Sequence, residues 1–183
     1  ATKHILLLAA IAACLAKQAA QEDVIVGTPV AGRNRPELAD IAGMFVTTLP
    51  MRVRPEAELC FDELLARVRA DCVAALENGE YPLERIIADL QFPRSASRNR
   101  LFDAMLVYRA KAPQVELQGL TCEPIRFDPG AAKLDLTLEV EEREQGLACE
   151  LEYDSALFKR GTVRRLAEHF VLLLDRLTAQ PDR

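Results

Sequence analysis

With 183 residues, half of them hydrophobic, the chain suits one ordinary domain or a large lobe of a bigger one, and it can bury a real core. Aromatic residues make up only 5% and Trp is absent, so that core has to be built from Leu, Val, Ile and Ala. A net charge of -5 with both signs interspersed, and no long basic run, argues against a nucleic-acid surface.

Thr2 to Gln21 is rich in Ala and Leu, strong helix formers, and nearly every face is apolar. A helix of that kind belongs in the centre of a core. The run Ile5 to Ala16 behind Lys3 also resembles a short secretory leader, and Ile11-Ala12-Ala13-Cys14 resembles a lipoprotein cleavage box. The helical pattern continues to Gln21, so a buried helix is expected instead. The run is also shorter than the ~20 residues of a membrane span. Glu22-Asp23 ends the helix, and Val24-Ile25-Val26 reads as a buried strand.

Gly27 to Asp40 is loop-like, with two Gly and two Pro. Met44 to Val53 returns to strand character and Pro55 ends it. Phe61, Leu64, Leu65, Val68, Cys72 and Leu76 then form one apolar helix stripe, stopped by Asn78-Gly79. Pro82 suits the first turn of a further helix to about Leu90. Arg94 to Arg100 is polar and irregular, with Arg94, Arg98 and Arg100 forming a local basic patch. Leu101 to Tyr108 predicts a strand. Val115 to Phe127 predicts one or two more, followed by a turn at Asp128-Pro129-Gly130.

Leu134, Leu136, Leu138 and Val140 alternate with polar residues, as do Leu147, Cys149, Leu151 and Tyr153. Two half-buried strands joined across Arg143 to Gly146 predict a β-hairpin. A closing helix follows on Val163, Leu166, Ala167, Phe170, Leu173, Leu174 and Leu177. The fold class is α/β, a mixed sheet flanked by helices.

Self-contained chemistry is hard to find. Five scattered cysteines (Cys14, Cys60, Cys72, Cys122, Cys149) show no CxxC spacing, and buried free thiols in a reducing cytosol are expected. The two histidines, His4 and His169, have no His, Asp or Cys at ligand spacing. General-base work needs a positioned partner, and no metal site is expected. Gly27 to Arg33 follows a strand as a phosphate loop does, but it lacks the GKS/T ending, and Pro29 removes an N–H. No GxSxG elbow, HExxH or EF-hand loop is present.

The motifs carry a resemblance. Ile41 to Arg52 reads IAGMFVTTLPMR, similar to the (I/V)GxFVNT core motif of nonribosomal-peptide-synthetase condensation domains, with Val24 to Leu38 (VIVGTPVAGRNRPEL) resembling its lead-in. ENGEYPLE (Glu77 to Glu84) resembles HQDxPFE, and RSASRNRL (Arg94 to Leu101) with LFDAMLVY resembles RDxSRNPL and its continuation. KLDLTLEV and LEYDSALF also look familial. The chain departs from the pattern at Thr47 for Asn, Ser95 for Asp and Arg100 for Pro, and at Glu77-Asn78 and Leu83.

The resemblance implies a chloramphenicol-acetyltransferase-like lobe: residues 1–180 as the C-terminal subdomain of a condensation domain, and 181–183 as the start of a linker. In that family two α/β lobes enclose a tunnel, and the HHxxxDG motif that assists amine attack on a thioester lies on the N-terminal lobe. No HH pair occurs here. The catalytic His is therefore expected on the other lobe, and this piece alone is expected inactive. The implied activity is amide formation between a carrier-tethered thioester donor and an amine acceptor, in the cytoplasm. No cofactor is expected to bind directly; phosphopantetheine is carried by the partner carrier proteins. The implied partners are the N-terminal lobe and the donor and acceptor carriers, with no nucleic acid and no membrane. An exposed inter-lobe face predicts an apolar patch or self-association. Alternatives are a non-catalytic carrier or protein docking module, and an epimerising, ester-forming or acyltransferase relative.

On this basis Gly27, Thr28, Arg33, Phe45, Thr47, Thr48 and Arg52 are expected to line the tunnel. Thr47 and Thr48 either offer hydroxyls to substrate or water, or simply favour a strand. Arg33 and Arg52 either pair with carboxylates or orient the floor loop. Arg94, Ser97, Arg98 and Asp135 are expected at a carrier or inter-lobe contact. Arg94 and Arg98 are alternatively phosphate contacts, and Asp135 alternatively an ordinary solvated strand residue.

Overall fold

The computed structural model describes residues 2–56, 58–91, 101–111, 117–120, 122–123, 125 and 130–179. Helix α1 spans Lys3–Ala19 and is almost wholly enclosed: Leu7, Leu8, Ala9, Ala10 and Ala12 are fully buried. The Thr2 hydroxyl caps it, accepting from the Ile5 N–H at 3.3 Å. Its last turn closes on Ala20 in the left-handed conformation (φ 51°). The alanines let α2 (Phe61–Glu77) and α4 (Arg160–Ala179) pack on either side of it.

Helix α2 begins with a capping interaction, the Glu63 carboxylate accepting from the Cys60 N–H at 3.2 Å. It buries Phe61, Leu64, Val68 and Cys72, and α4 buries Val163 and Phe170. Helix α3 is short, Leu83–Asp89, with Pro82 immediately before it.

Five strands form one sheet in the order β2-β1-β3-β4-β5: β1 Val24–Val30, β2 Thr47–Val53, β3 Ala104–Arg109, β4 Leu136–Arg143 and β5 Gly146–Tyr153. β1–β2 and β4–β5 are antiparallel, while β1–β3 and β3–β4 are parallel. The sheet is therefore mixed. Val26, Leu49, Met51, Val53, Leu106, Leu138 and Val140 all join the cluster built around α1, so one face of the sheet is covered by helices.

Several expected boundaries shift. β1 runs through Val30, four residues past Val26, because antiparallel pairing with β2 continues to Val30↔Thr47. Pro29 is tolerated there because the ladder to β3 has already stopped at Gly27↔Met105, where no further N–H is needed. β2 begins at Thr47, not Met44; the preceding residues belong to a loop fastened by Arg33. In the 117–125 region the described residues show a single bridge, Leu117↔Leu120, not a strand. The cysteines are free, but only Cys14 and Cys72 are buried. Cys60 is half-buried, and Cys122 and Cys149 are exposed, the latter on the edge strand β5.

Candidate functional site

Register assigns the sheet's second face. Ile25, Gly27 and Pro29 of β1 share it with Thr48, Pro50 and Arg52 of β2, and with Met105, Val107 and Arg109 of β3. Thr137, Glu139 and Glu141 of β4 continue it, then Ala148, Glu150 and Glu152 of β5. Helices α1, α2 and α4 share the core cluster with the opposite face. Its β2-β1-β3 half is largely apolar. Its β4-β5 half is acidic, with Glu139 directly opposite Glu150 and balanced by Arg109 at 3.1 Å.

The expected tunnel residues divide across the sheet. Gly27 and Thr48 lie on the open face. Thr28 and Thr47 pair with Leu49 and Val30 and so turn toward the helices, because successive strand residues alternate. Thr28 is 3% exposed, and its hydroxyl meets no hydrogen-bond partner among the described residues. Phe102 was not singled out by its sequence. Its ring covers Gly27, and a Cβ on Gly27 would lie 2.4 Å from it. The signal was present as a glycine inside a β-branched strand, a mark of close approach.

Arg33 and Arg52 act differently. Arg52 grips Asp23 through two nitrogens, at 2.9 Å from Nε and 2.5 Å from a terminal nitrogen, and Arg54 joins at 3.3 Å. The Arg52 guanidinium first, then that of Arg54, holds the Asp23 carboxyl below the usual carboxylate range, against the opposing effect of burial. Among the described residues Arg33 pairs with no carboxylate. It donates to the carbonyls of Leu38, of Ala39 at 3.5 Å and of Gly43 at 3.2 Å, and stacks on Phe45 with 4.4 Å from Cζ to the ring centroid. It orients the loop.

Asp135 precedes β4 and is half-buried, its carbonyl accepting from the Asp154 N–H at 3.1 Å. Arg94, Ser97 and Arg98 lie outside the described residues.

Both histidines sit on the helix side. His4 opens α1 against the edge of the Tyr108 ring, 6.4 Å between centroids. Tyr108 in turn donates to Glu142 at 2.5 Å, and Lys3 also pairs with Glu142. His169 meets Gln18 at 2.9 Å, at the other end of α1. The stretch of α1 from His4 to Gln18 separates them by roughly 20 Å. A groove of about 530 Å³ runs between β2 and α2, and one of about 360 Å³ lies by Lys3, Lys111 and Arg143; neither is lined by a histidine. Among the described residues, no cluster of His, Cys, Asp and Glu is suited to a metal, and no helix is long and apolar enough to cross a membrane.

An open sheet face without a base fits one wall of a larger site, and the comparisons with known proteins decide the family. Residues 1–183 match the condensation domain family. The chain belongs to the condensation-domain family. It is 39% identical over 183 residues to surfactin synthase subunit 1 of Bacillus subtilis (strain 168), covering 100% of this chain and 5% of that protein. It is 41% identical over 184 residues to tyrocidine synthase 2 of Brevibacillus parabrevis, covering 99% of this chain and 5% of that protein. The chain thus spans about a twentieth of these relatives.

Among solved structures, the X-domain from teicoplanin biosynthesis superposes with a TM-score of 0.86 at 28% identity, over 100% of this chain and 43% of that one. The condensation domain from Monacolin K polyketide synthase MokA gives 0.82 at 21% identity, over 100% and 42%, a likeness of fold. The chloramphenicol-acetyltransferase-like architecture expected from the motifs is therefore the one observed.

Proposed function

We propose that this chain is the C-terminal wall of a condensation domain that forms amide bonds in nonribosomal peptide synthesis. In that reaction an acceptor amine attacks the carbonyl of a donor thioester. A tetrahedral oxyanion forms and collapses, the C–S bond breaks, and the donor arm leaves as a thiol carrying the proton lost by the amine. Both substrates arrive tethered to phosphopantetheine arms of carrier proteins, so positioning supplies much of the rate. The observation that carries the reading is the face of β2-β1-β3 turned away from the core cluster, apolar at Ile25, Pro29 and Met105 and carrying Thr48, with both histidines on the opposite side of the sheet. Such a wall lines a cavity but does not move a proton, so the base belongs to the lobe built from preceding residues. We place residues 1–180 in the lobe, 181–183 in a following linker, and the whole in the cytoplasm.

The test is to supply loaded donor and acceptor carriers to the two-lobed domain and to this chain alone, reading the amide product by mass. Product from the two-lobed domain only is expected. Product from this chain alone overturns the reading.

A docking role is the second reading. It is favoured by the identity to the X-domain of teicoplanin biosynthesis, 29% in the structure of that domain's complex with OxyB, against 21% for the MokA domain. An intact HHxxxDG in the preceding lobe selects catalysis, and a degenerate one selects docking.

A further inference from the structure

Strand β2 ends the sheet on one side, with β1 as its single neighbour among the described residues. Two prolines identify which main-chain groups the β1–β2 ladder uses. Pro50 stands opposite Gly27 and Pro29 opposite Thr48, positions of the same parity. In an antiparallel ladder alternate pairs exchange both hydrogen bonds, and the pairs between them exchange none. A proline has no N–H to exchange, so the bonded pairs are those of Leu49, Met51 and Val53. The main-chain groups of Thr48, Pro50 and Arg52 therefore point away from β1, toward the free rim of the sheet. Among the described residues no further backbone hydrogen bond ends on them.

The groove of about 530 Å³ follows this rim. Residues 50–54 form one bank, and α2 forms the other, where Ala70 and Ala74 are exposed and present only methyl groups. Five residues of rim extend about 17 Å, the length of a short added strand. An edge of this kind, with a helix alongside, is the arrangement to which extended peptides add as a further strand.

Charge decides which strand fits. The groove carries Arg52, Arg54 and Arg67 against Glu56 and Asp71, on a chain whose net charge is -5. Arg52 and Arg54 share Asp23, and Arg67 pairs with Glu56, yet all three arginine side chains stay more than half exposed. A guanidinium has five N–H donors, so each can take a further carboxylate. A second copy of β2 would bring the same arginines to a shared rim, and like charges across paired strands keep copies apart.

We propose that the rim of β2 and the facing side of α2 form a strand-addition site for an acidic extended segment of another protein. Its main chain pairs with Thr48 and Arg52 and with the Pro50 carbonyl. Alternate residues carry carboxylates that meet Arg52 and Arg54, and the residues between are small and apolar, against Ala70 and Ala74. Binding here is separate from amide formation and is read without turnover.

The experiment titrates the two-lobed domain into a short fluorescein-labelled peptide of alternating Glu and Val, followed by anisotropy. The controls are the same peptide with Lys in place of Glu, and the Glu peptide N-methylated at every amide. The Glu peptide should bind at least about tenfold more tightly than either control. It should also slow hydrogen exchange at the Thr48 and Arg52 N–H groups. Ala74→Trp fills the groove from an exposed position, and Ala70→Glu adds a carboxylate to its bank. Each should weaken binding about tenfold with melting of the domain unchanged. Equal affinity for the Glu and Lys peptides overturns the proposal, as does equal affinity for the N-methylated one. So does binding that survives both variants, unchanged exchange at Thr48 and Arg52, or no binding at all. A dimer in sedimentation that Ala74→Trp dissociates assigns the groove to a second copy and overturns it too. Amide formation by the same domain is measured separately, and its absence bears on the functional reading alone.

Discussion

The α-carbon of Gly27 lies directly beneath the ring of Phe102, with a hypothetical Cβ at 2.4 Å from Cε2 and 2.8 Å from Cδ2 and Cζ. Glycine is required here for close approach, not for an unusual backbone angle. Phe102 is 5% exposed and so has little room to withdraw. Gly27→Ala is expected to cost about 1–3 kcal/mol, the range for overpacking. The check is a lower denaturant midpoint at constant slope. Adding Phe102→Leu should recover part of the loss, with a coupling of at least about 0.5 kcal/mol. Strictly additive losses would mean that the ring does not hold this position.

His4 makes the fold sensitive to acid. Its Nε2 is buried and meets no hydrogen-bond partner among the described residues, and burial pushes its pKa below the ordinary value of 6.5. The Tyr108 ring faces it, with Glu142 and Lys3 in the hydrogen-bonded group beyond. A histidine whose folded pKa is lowered binds its proton more readily when unfolded. Stability therefore falls as pH drops through the unfolded value, about 6.5, toward the folded one. His4→Phe should flatten the stability profile between about pH 7 and 5. Equal slopes for the parent and the variant, from urea titrations at each pH, would contradict the buried neutral ring.

Asp23 works in the opposite sense and at lower pH. Its folded pKa is depressed, chiefly by Arg52, so its contribution is present above the unfolded carboxylate pKa of about 3.9 and is lost as pH falls through the folded value. The pair is more than half exposed on the arginine side, so the contribution is modest and screened by salt. Asp23→Asn should lower the melting temperature slightly at neutral pH, and the gap should close both near pH 2 and in molar salt. A gap that persists in both conditions would point to packing rather than charge.

Local chemistry made some of this architecture legible and long-range pairing hid the rest. α1 was readable because apolar residues on every face leave no place for it but the centre. The β4–β5 hairpin was readable because Leu136, Leu138 and Val140 against Cys149 and Leu151 alternate with polar residues, and one face is buried. The sequence pattern ends β1 at Val26 because Gly27 and Pro29 break the local run of β-branched residues. What carries the strand to Val30 is a partner seventeen or more residues away. The parallel contact of β1 with β3 crosses two helices and leaves no periodic trace in the chain. The role of Arg33 is not legible in the sequence, because its partners are main-chain carbonyls that no side-chain pattern announces.

Thr28 and Thr48 offer a contrast that separates strand chemistry from substrate contact. Thr28 faces the helices, 3% exposed, with a hydroxyl that meets no partner among the described residues, whereas Thr48 stands on the open face opposite Pro29. A buried hydroxyl without a partner carries its desolvation penalty of about 1–3 kcal/mol uncompensated. Thr28→Val keeps the shape, removes the hydroxyl, and should leave stability unchanged or raise it by about 1 kcal/mol. In the two-lobed domain it should leave amide formation unaltered. Thr48→Val should do the reverse: stability within about 0.5 kcal/mol of the parent, as for a surface strand position, and slower turnover where the hydroxyl orients substrate or water. Turnover lost with Thr28→Val and kept with Thr48→Val would mean that the helix-covered face, not the open one, meets the substrate.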